Sequence, residues 1–165
     1  MQDLILTDPE RCTGCRICEI VCSLTKEKVI NPTKSRIQVV KIEAMSLNLP
    51  VVCQQCYEAP CVSVCPAGAL EQEEGTGLVR HDMDLCIGCK SCVAVCPFGA
   101  IGIDTDGHKV TKCDHCGGDP TCVRFCETGA IQYVDARTAS MRLKREALHK
   151  MEDLIQRYGT FHGTQ

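Results

Sequence analysis

Cysteine supplies most of the chemistry that this sequence offers, because 16 of its 165 residues are cysteines. They form four groups of four, and within each group only two to five residues separate one cysteine from the next. In chain order the groups are Cys12, Cys15, Cys18 and Cys22; Cys53, Cys56, Cys61 and Cys65; Cys86, Cys89, Cys92 and Cys96; and Cys113, Cys116, Cys122 and Cys126. Clustered thiols either bind metals or pair as disulfides, and the spacing decides between the two.

Metal binding fits this spacing better than disulfide pairing does, because closely spaced cysteines repeated along a chain are typical of metal loops. Residues 1–8 have no basic region, long apolar stretch or small-residue cleavage site, so they do not resemble a signal peptide. Disulfides are rare in the reducing cytoplasm. We therefore expect a cytoplasmic protein with metal-bound cysteines.

Iron–sulfur clusters are the expected form of that metal. Groups one and three have the C-x2-C-x2-C-x3-C spacing of bacterial ferredoxins, and groups two and four lengthen only the gap between their second and third cysteines. Zinc is the alternative, but structural zinc sites usually combine two ligand pairs a dozen or more residues apart and often include histidine. Sixteen cysteines therefore predict four 4Fe-4S clusters.

The composition restricts what else the chain can do. It has no Trp, three Phe and three Tyr, so we expect a small apolar core and cluster insertion that is coupled to folding. Apolar residues between the third and fourth cysteines are predicted to form local core around the clusters: Ile20, Val21, Val62, Val64, Val93, Val95, Val123 and Phe125. The formal charge of -3 does not suggest nucleic-acid binding, and no apolar run is long enough to span a membrane.

The order of turn and strand signals predicts an α+β fold of two bacterial-ferredoxin-like modules, the second inserted in the first. Leu4–Leu6 and Ile131–Val134 occupy the places of the first and last ferredoxin strands, which pair, and residues 51–103 form a contiguous module between them. The outer module is then residues 1–50 and 104–135, with a C-terminal helix and tail at 136–165. Simple tandem pairing of the groups is the alternative.

Several segments resemble four-cluster electron-transfer subunits, the iron–sulfur partners of dimethyl sulfoxide reductase, formate dehydrogenase and related molybdenum or tungsten pterin enzymes. The resemblance rests on the order of the groups, Cys86–Cys89, Cys96–Gly99, the alternating segment Arg36–Val39 and the Lys112-Cys113 pair. The chain is also similar to small partners of tungsten aldehyde oxidoreductase-type enzymes, including class II benzoyl-CoA reductases. Group four has a short loop, and no membrane helix follows it, which favours a compact relative.

The resemblance implies crossed ligation and a catalytic partner. Cys12, Cys15 and Cys18 would share a cluster with Cys126; Cys113, Cys116 and Cys122 with Cys22; Cys53, Cys56 and Cys61 with Cys96; and Cys86, Cys89 and Cys92 with Cys65. The partner would be a tungsten or molybdenum pterin subunit, with a ferredoxin or flavoprotein subunit as a possible second redox partner.

The other polar residues show no separate catalytic site. His115 is interpreted as a solvated loop histidine rather than a ligand, since cysteine fills every expected corner of the clusters. Arg16, Lys90 and Arg124 either tune potentials or are simply solvated. The chain is therefore not expected to be an enzyme on its own.

A helix is predicted after Val134, because Leu143, Ala147, Met151, Leu154, Ile155 and Tyr158 recur at helical spacing, with Gly159 as a stop and a frayed tail at 160–165. It either packs on the ferredoxin body or docks a catalytic subunit. For the whole chain, the alternatives to a stable oxidoreductase subunit are a freely diffusing polyferredoxin and a structural metal-binding adaptor.

Overall fold

Short helices and strand pairs alternate along residues 3–158, the part of the chain that the computed structural model describes. The strands are β1 Asp3–Thr7, β2 Gln38–Ile42, β3 Leu47–Val51, β4 Leu70–Gln72, β5 Val79–His81, β6 Ile101–Ile103, β7 Val110–Lys112 and β8 Ile131–Asp135. The α-helices are α1 Ile17–Glu27, α2 Pro60–Ser63, α3 Ser91–Val95, α4 Thr121–Arg124 and α5 Ala136–Tyr158. The predicted α+β class is confirmed.

The first and last strands pair, as the sequence predicts. β1 and β8 are antiparallel, and the fully buried Ile5 stands opposite Tyr133. Helix α1 packs against α4, while α2 packs against α3. Group one therefore lies beside group four and group two beside group three, which is the nested order of two ferredoxin-like modules.

Three hairpins complete the fold: β2 with β3, β4 with β5, and β6 with β7, all antiparallel. The strand predicted at Arg36–Val39 begins at Gln38. Within the predicted segment, the buried side chains are Ile37 and Val39. The β6–β7 hairpin crosses the predicted module boundary after Ile103. The residue bounds of the two modules stay a prediction.

A buried carboxylate joins α1 to β2. Glu19 is only 4% exposed, and its Oε1 accepts a hydrogen bond from the Val39 backbone N–H at 2.6 Å. Buried backbone N–H groups need an acceptor, and the Glu19 side chain provides it across 20 residues of sequence. This single contact fixes the hairpin against the helix that carries Cys18 and Cys22.

We expect Glu19→Ala to lower the free energy of unfolding by about 1–3 kcal/mol, because it leaves the buried Val39 N–H without a partner. The measurement is the guanidinium midpoint for loss of cluster absorbance under anaerobic conditions. Glu19→Gln is the matched control, since its amide oxygen can still accept the bond. Equal midpoints for wild type and Glu19→Ala would contradict this role.

The core consists of two sets of buried residues, and each contains cysteines. Val62, Val93 and Val123 pack against these sets, as predicted. The prediction is wrong for three neighbouring side chains: Val64, Val95 and Phe125 are exposed. These helices have only one turn, so residues two apart face opposite sides and only one of each pair reaches the core.

Helix α5 begins where Asp135 caps it, accepting hydrogen bonds from the backbone N–H groups of Arg137 and Thr138. It packs against β1 and β8 near its start, where Ala139 is buried. The interpretation that its apolar face packs on the body is wrong for Leu143, Met151, Leu154 and Ile155, which are 53–57% exposed. The predicted stop at Gly159 and the tail lie outside the described residues.

No helix within residues 3–158 is both long and apolar enough to cross a membrane.

Candidate metal centres

The loops of groups one and three share one backbone conformation. A glycine stands before the second cysteine of each loop, and φ is +69° at both Gly14 and Gly88. A residue with positive φ follows that cysteine, Arg16 at 60° and Lys90 at 62°, and α1 or α3 begins directly after it. Left-handed residues turn the chain sharply, so the first three cysteines of each group curl around a common space.

Groups two and four accommodate a longer gap between their second and third cysteines. Positive φ occurs at Gln55 in group two and at His115 and Cys116 in group four. Pro60 is the first residue of α2, and Pro120 immediately precedes α4. The fixed φ of proline favours a helix start, so the third cysteine of each group lies on the first turn of a short helix.

One cavity of about 230 Å³ is lined by the first three cysteines of group one together with the last cysteine of group four. These are Cys12, Cys15, Cys18 and Cys126, the first set that the resemblance implies. The same cavity is also lined by apolar side chains, among them Ile17, Val39 and Ile131. A donor set of four thiols around such a space fits a cubane cluster.

The fourth cysteines of groups one and three also lie beside their expected neighbours. Burial raises the pKa of Cys122 to about 12, and Cys22 is close enough to add to that shift. Burial also raises the pKa of Cys56, with contributions from Cys53 and Cys96. Cys22 therefore lies with group four, and Cys96 lies with group two.

Group three and Cys65 meet in the second buried set of the core. Cys61 and Cys92 are buried there, and Cys65 and Cys86 pack against the same set. The structure thus brings all four cysteine groups into the neighbourhoods that crossed ligation requires. Whether each thiol binds the expected cluster remains a prediction.

Three thiol pairs connect these neighbourhoods in a row. Burial raises the pKa of Cys18 to about 12, and the group-four thiol of Cys122 adds to the shift. Burial also raises the pKa of Cys113, and the group-two thiol of Cys53 adds to that shift. For Cys92 of group three, burial again raises the pKa, and the group-two thiol of Cys61 adds to the shift. Group one is thus adjacent to group four, group four to group two, and group two to group three.

The two ends of this row carry its most exposed cysteines. Cys15 at the group-one end and Cys89 at the group-three end are the two exposed cysteines among the sixteen. Hydrogen bonding from the backbone N–H of Ser91 lowers the pKa of Cys89. The cysteines between the ends are buried or half-buried, so solvent access is concentrated where the row begins and ends.

The interpretation of His115 as a solvated residue is wrong, because its side chain is fully buried. Its Nε2 lies 3.2 Å from the carbonyl oxygen of Cys53, and its ring meets Tyr133 edge to face at a centroid distance of 5.7 Å. Burial lowers the pKa of His115, which favours the neutral imidazole. His115 therefore joins groups two and four to strand β8 as part of the core.

Lys112 and Gln55 are buried polar residues that sequence reasoning missed. They are 2% and 1% exposed, and both contact the backbone of Cys113. Strand alternation offered a signal, since Lys112 shares a face of β7 with the buried Val110. By contrast, Arg16, Lys90 and Arg124 are all exposed, and whether they tune potentials or are simply solvated stays a prediction.

Comparison with known proteins agrees with this geometry. The model of the 4Fe-4S dicluster domain matches residues 44–136, and that of a 4Fe-4S binding domain matches residues 9–26. The polyferredoxin-like subunit of an aliphatic sulfonate oxidoreductase from Pyrococcus furiosus is 43% identical over 138 residues, which cover 84% of this chain and 79% of the relative. A putative electron transport protein of Escherichia coli, YsaA, is 35% identical over 158 residues, covering 88% and 98%.

A solved structure extends the likeness to three dimensions. The active site complex BamBC of benzoyl coenzyme A reductase, in complex with zinc, contains a chain that is 26% identical and aligns with a TM-score of 0.50. The alignment covers 96% of this chain and 92% of that one. The protein therefore belongs to the 4Fe-4S dicluster domain family and is an iron–sulfur electron-transfer protein.

Proposed function

We propose that this chain holds four 4Fe-4S clusters and relays single electrons between a tungsten or molybdenum pterin catalytic subunit and a second redox partner. The proposed ligand sets are Cys12, Cys15, Cys18 and Cys126; Cys22, Cys113, Cys116 and Cys122; Cys53, Cys56, Cys61 and Cys96; and Cys65, Cys86, Cys89 and Cys92. The observation that carries the proposal is the row in which the groups lie: α1 packs on α4, Gln55 of group two donates a hydrogen bond to the carbonyl oxygen of Cys113 in group four at 2.8 Å, and α2 packs on α3.

The chain's own residues hold the clusters and control their surroundings. A bound 4Fe-4S cluster exchanges one electron at a time, at a potential set by hydrogen bonds, nearby charge and solvent exposure. Buried residues such as Ile5, Ile37 and Val79 exclude water from the middle of the row. Exposure of Cys15 and Cys89 leaves the two ends open to partner proteins. Electrons then enter at one end and leave at the other.

Helix α5 favours a stable complex with a catalytic subunit over a freely diffusing carrier. Its exposed apolar side chains Leu143, Met151 and Leu154 lie on one side of the helix and form a surface that solvent disfavours and that a partner subunit would cover. The Pyrococcus furiosus relative is named as an oxidoreductase subunit, and the benzoyl coenzyme A reductase neighbour is part of a two-component active site complex. Both names support the same kind of assembly here.

Anaerobic purification of the tagged chain from its native host should recover a larger complex. We expect about sixteen iron and sixteen sulfide per chain, since each cubane contains four of each, together with tungsten or molybdenum bound to a copurified polypeptide. The measurements are elemental analysis, the native mass of the complex and identification of the copurified polypeptide. A loaded chain that runs alone without either metal would favour the diffusing carrier, and zinc in place of iron and sulfide would favour a structural adaptor.

A further inference from the structure

Lys112 stands at the junction between the neighbourhoods of groups four and two. Its Nζ donates hydrogen bonds to Gln55 Oε1 at 3.2 Å and to the carbonyl oxygens of Val79 and Cys113, both at 3.1 Å. Its side chain is almost fully buried. The lysine head group is therefore fixed beside the cysteines, rather than extended into solvent as lysines usually are.

The three hydrogen bonds indicate that this buried group carries a positive charge. Side-chain amide and carbonyl oxygens only accept hydrogen bonds, and three such acceptors require the three N–H groups of an ammonium. A neutral amine would have two N–H groups and would direct its lone pair at the third oxygen. Lys112 is thus an ammonium whose three hydrogen-bond acceptors are all uncharged oxygens.

No carboxylate within residues 3–158 lies at ion-pair distance from Lys112. The nearest acid along the chain, Asp114, lies 2.7 Å from Lys26 Nζ, so its charge is already paired. A buried cation without a partner is strongly unfavourable. It requires a nearby anion, and the thiolates of a loaded cysteine set supply one.

We propose that the Lys112 ammonium raises the reduction potential of the cluster held by Cys53, Cys56, Cys61 and Cys96. The inference rests on the proposed ligand sets. An electron added to that centre brings negative charge close to a fixed buried cation, so the reduced form is stabilised more than the oxidised form. Potentials of clusters remote from Lys112 change little, because the effect falls with distance.

Two further observations place the effect at group two rather than elsewhere. Val79, whose carbonyl oxygen accepts a bond from Lys112, belongs to the buried set of core residues that contains Cys61 of group two. Gln55, which accepts a bond from Lys112, is itself part of the group-two loop between Cys53 and Cys56. Two of the three acceptors of the Lys112 head group therefore lie on the group-two side, and the third is the backbone carbonyl oxygen of Cys113 in group four.

The test is an anaerobic redox titration with dithionite, followed by electron paramagnetic resonance, of wild type and Lys112→Met at equal iron and sulfide content. We expect at least a tenfold fall in the equilibrium constant for reducing one centre, which is about 59 mV for a one-electron couple. That centre should be the one whose signal changes in Cys56→Ser. Lys112→Arg should restore the wild-type potential, because it keeps the charge.

Lys41→Met is the matched control, since Lys41 is an exposed lysine of β2 outside the cysteine loops and its removal should leave that centre unchanged. A merely structural lysine would alter stability without a selective shift, so unchanged potentials in Lys112→Met would overturn the inference. If Lys112→Met does not load its clusters, the same titration is carried out on Gln55→Glu. A carboxylate beside Lys112 would neutralise its charge and should lower the potential of the same centre. An unchanged potential would overturn the inference. Fewer than four clusters in wild type would instead count against the proposed function.

Discussion

Removing iron and sulfide is expected to abolish the cooperative fold of this protein. Seven of its buried apolar residues are cysteines: Cys18, Cys22, Cys53, Cys61, Cys92, Cys113 and Cys122. Both sets of core residues contain such cysteines, so neither has a complete apolar interior without the clusters. The paired strands are only three to five residues long and form four separate two-stranded sheets, which are marginal alone.

Loop conformation adds to this dependence on the clusters. Residues other than glycine rarely adopt a positive φ. In these loops it occurs at Arg16, Gln55, Lys90, His115 and Cys116. Bonds from four thiolates to one cluster would stabilise these turns. Without those bonds the strained loops have little to hold them, and metal binding then supplies much of the folding free energy.

Circular dichroism and calorimetry of the cluster-free chain, prepared anaerobically with a chelator and thiol reductant, test this expectation. The cluster-free sample should lose most of its secondary structure and show no heat-absorption peak, whereas the loaded sample should unfold cooperatively. Reconstitution with iron and sulfide is the control, because recovery of the original spectrum excludes irreversible damage. A cooperative thermal transition in the cluster-free protein would show that the apolar core suffices.

The sequence predicted the parts of this fold that depend on local pattern and cysteine spacing. Short apolar runs at Leu4–Leu6 and Ile131–Val134 predicted the β1–β8 pair, because they occupy the places of the first and last strands of a ferredoxin, which pair in that fold. Glycine next to a cysteine suits a sharp turn, and Gly14 and Gly88 have the positive φ that such turns need. The helical period after Val134 predicted α5.

Burial of individual polar residues could not be predicted in the same way. His115 is buried by Cys53, 62 residues earlier in the chain, and by Tyr133 of β8. Lys112 is held by Gln55, 57 residues away. These contacts arise only when group two is placed beside group four, so they depend on tertiary packing that a local pattern does not contain. The exposed apolar residues of α5 are a similar case. The helical spacing of apolar residues in the sequence shows which of them share a face, but it does not show what covers that face.

Gly88 is the glycine whose replacement should do most damage, because two constraints meet there. Its φ of +69° is unfavourable for any residue with a side chain, and a Cβ at this position would lie 1.7 Å from the backbone carbonyl oxygen of His108. A backbone atom cannot move aside as a flexible side chain can, so the loop between Cys86 and Cys89 would have to shift. That shift would misplace thiols of the fourth proposed ligand set.

We expect Gly88→Ala to lose one cluster and keep the other three, so that iron and sulfide fall by about a quarter and one reduction step disappears from the redox titration. Gly99→Ala is the matched control, because Gly99 has φ +60° but its Cβ would meet nothing within 4 Å. Gly14→Ala should be intermediate, since its Cβ would meet the Asn48 side chain, at 2.4 Å from Oδ1, and that side chain can rotate away. Full iron content in Gly88→Ala would contradict the steric argument. Loss of all four clusters would show that they assemble as one unit, with the group-three loop needed for the others to form.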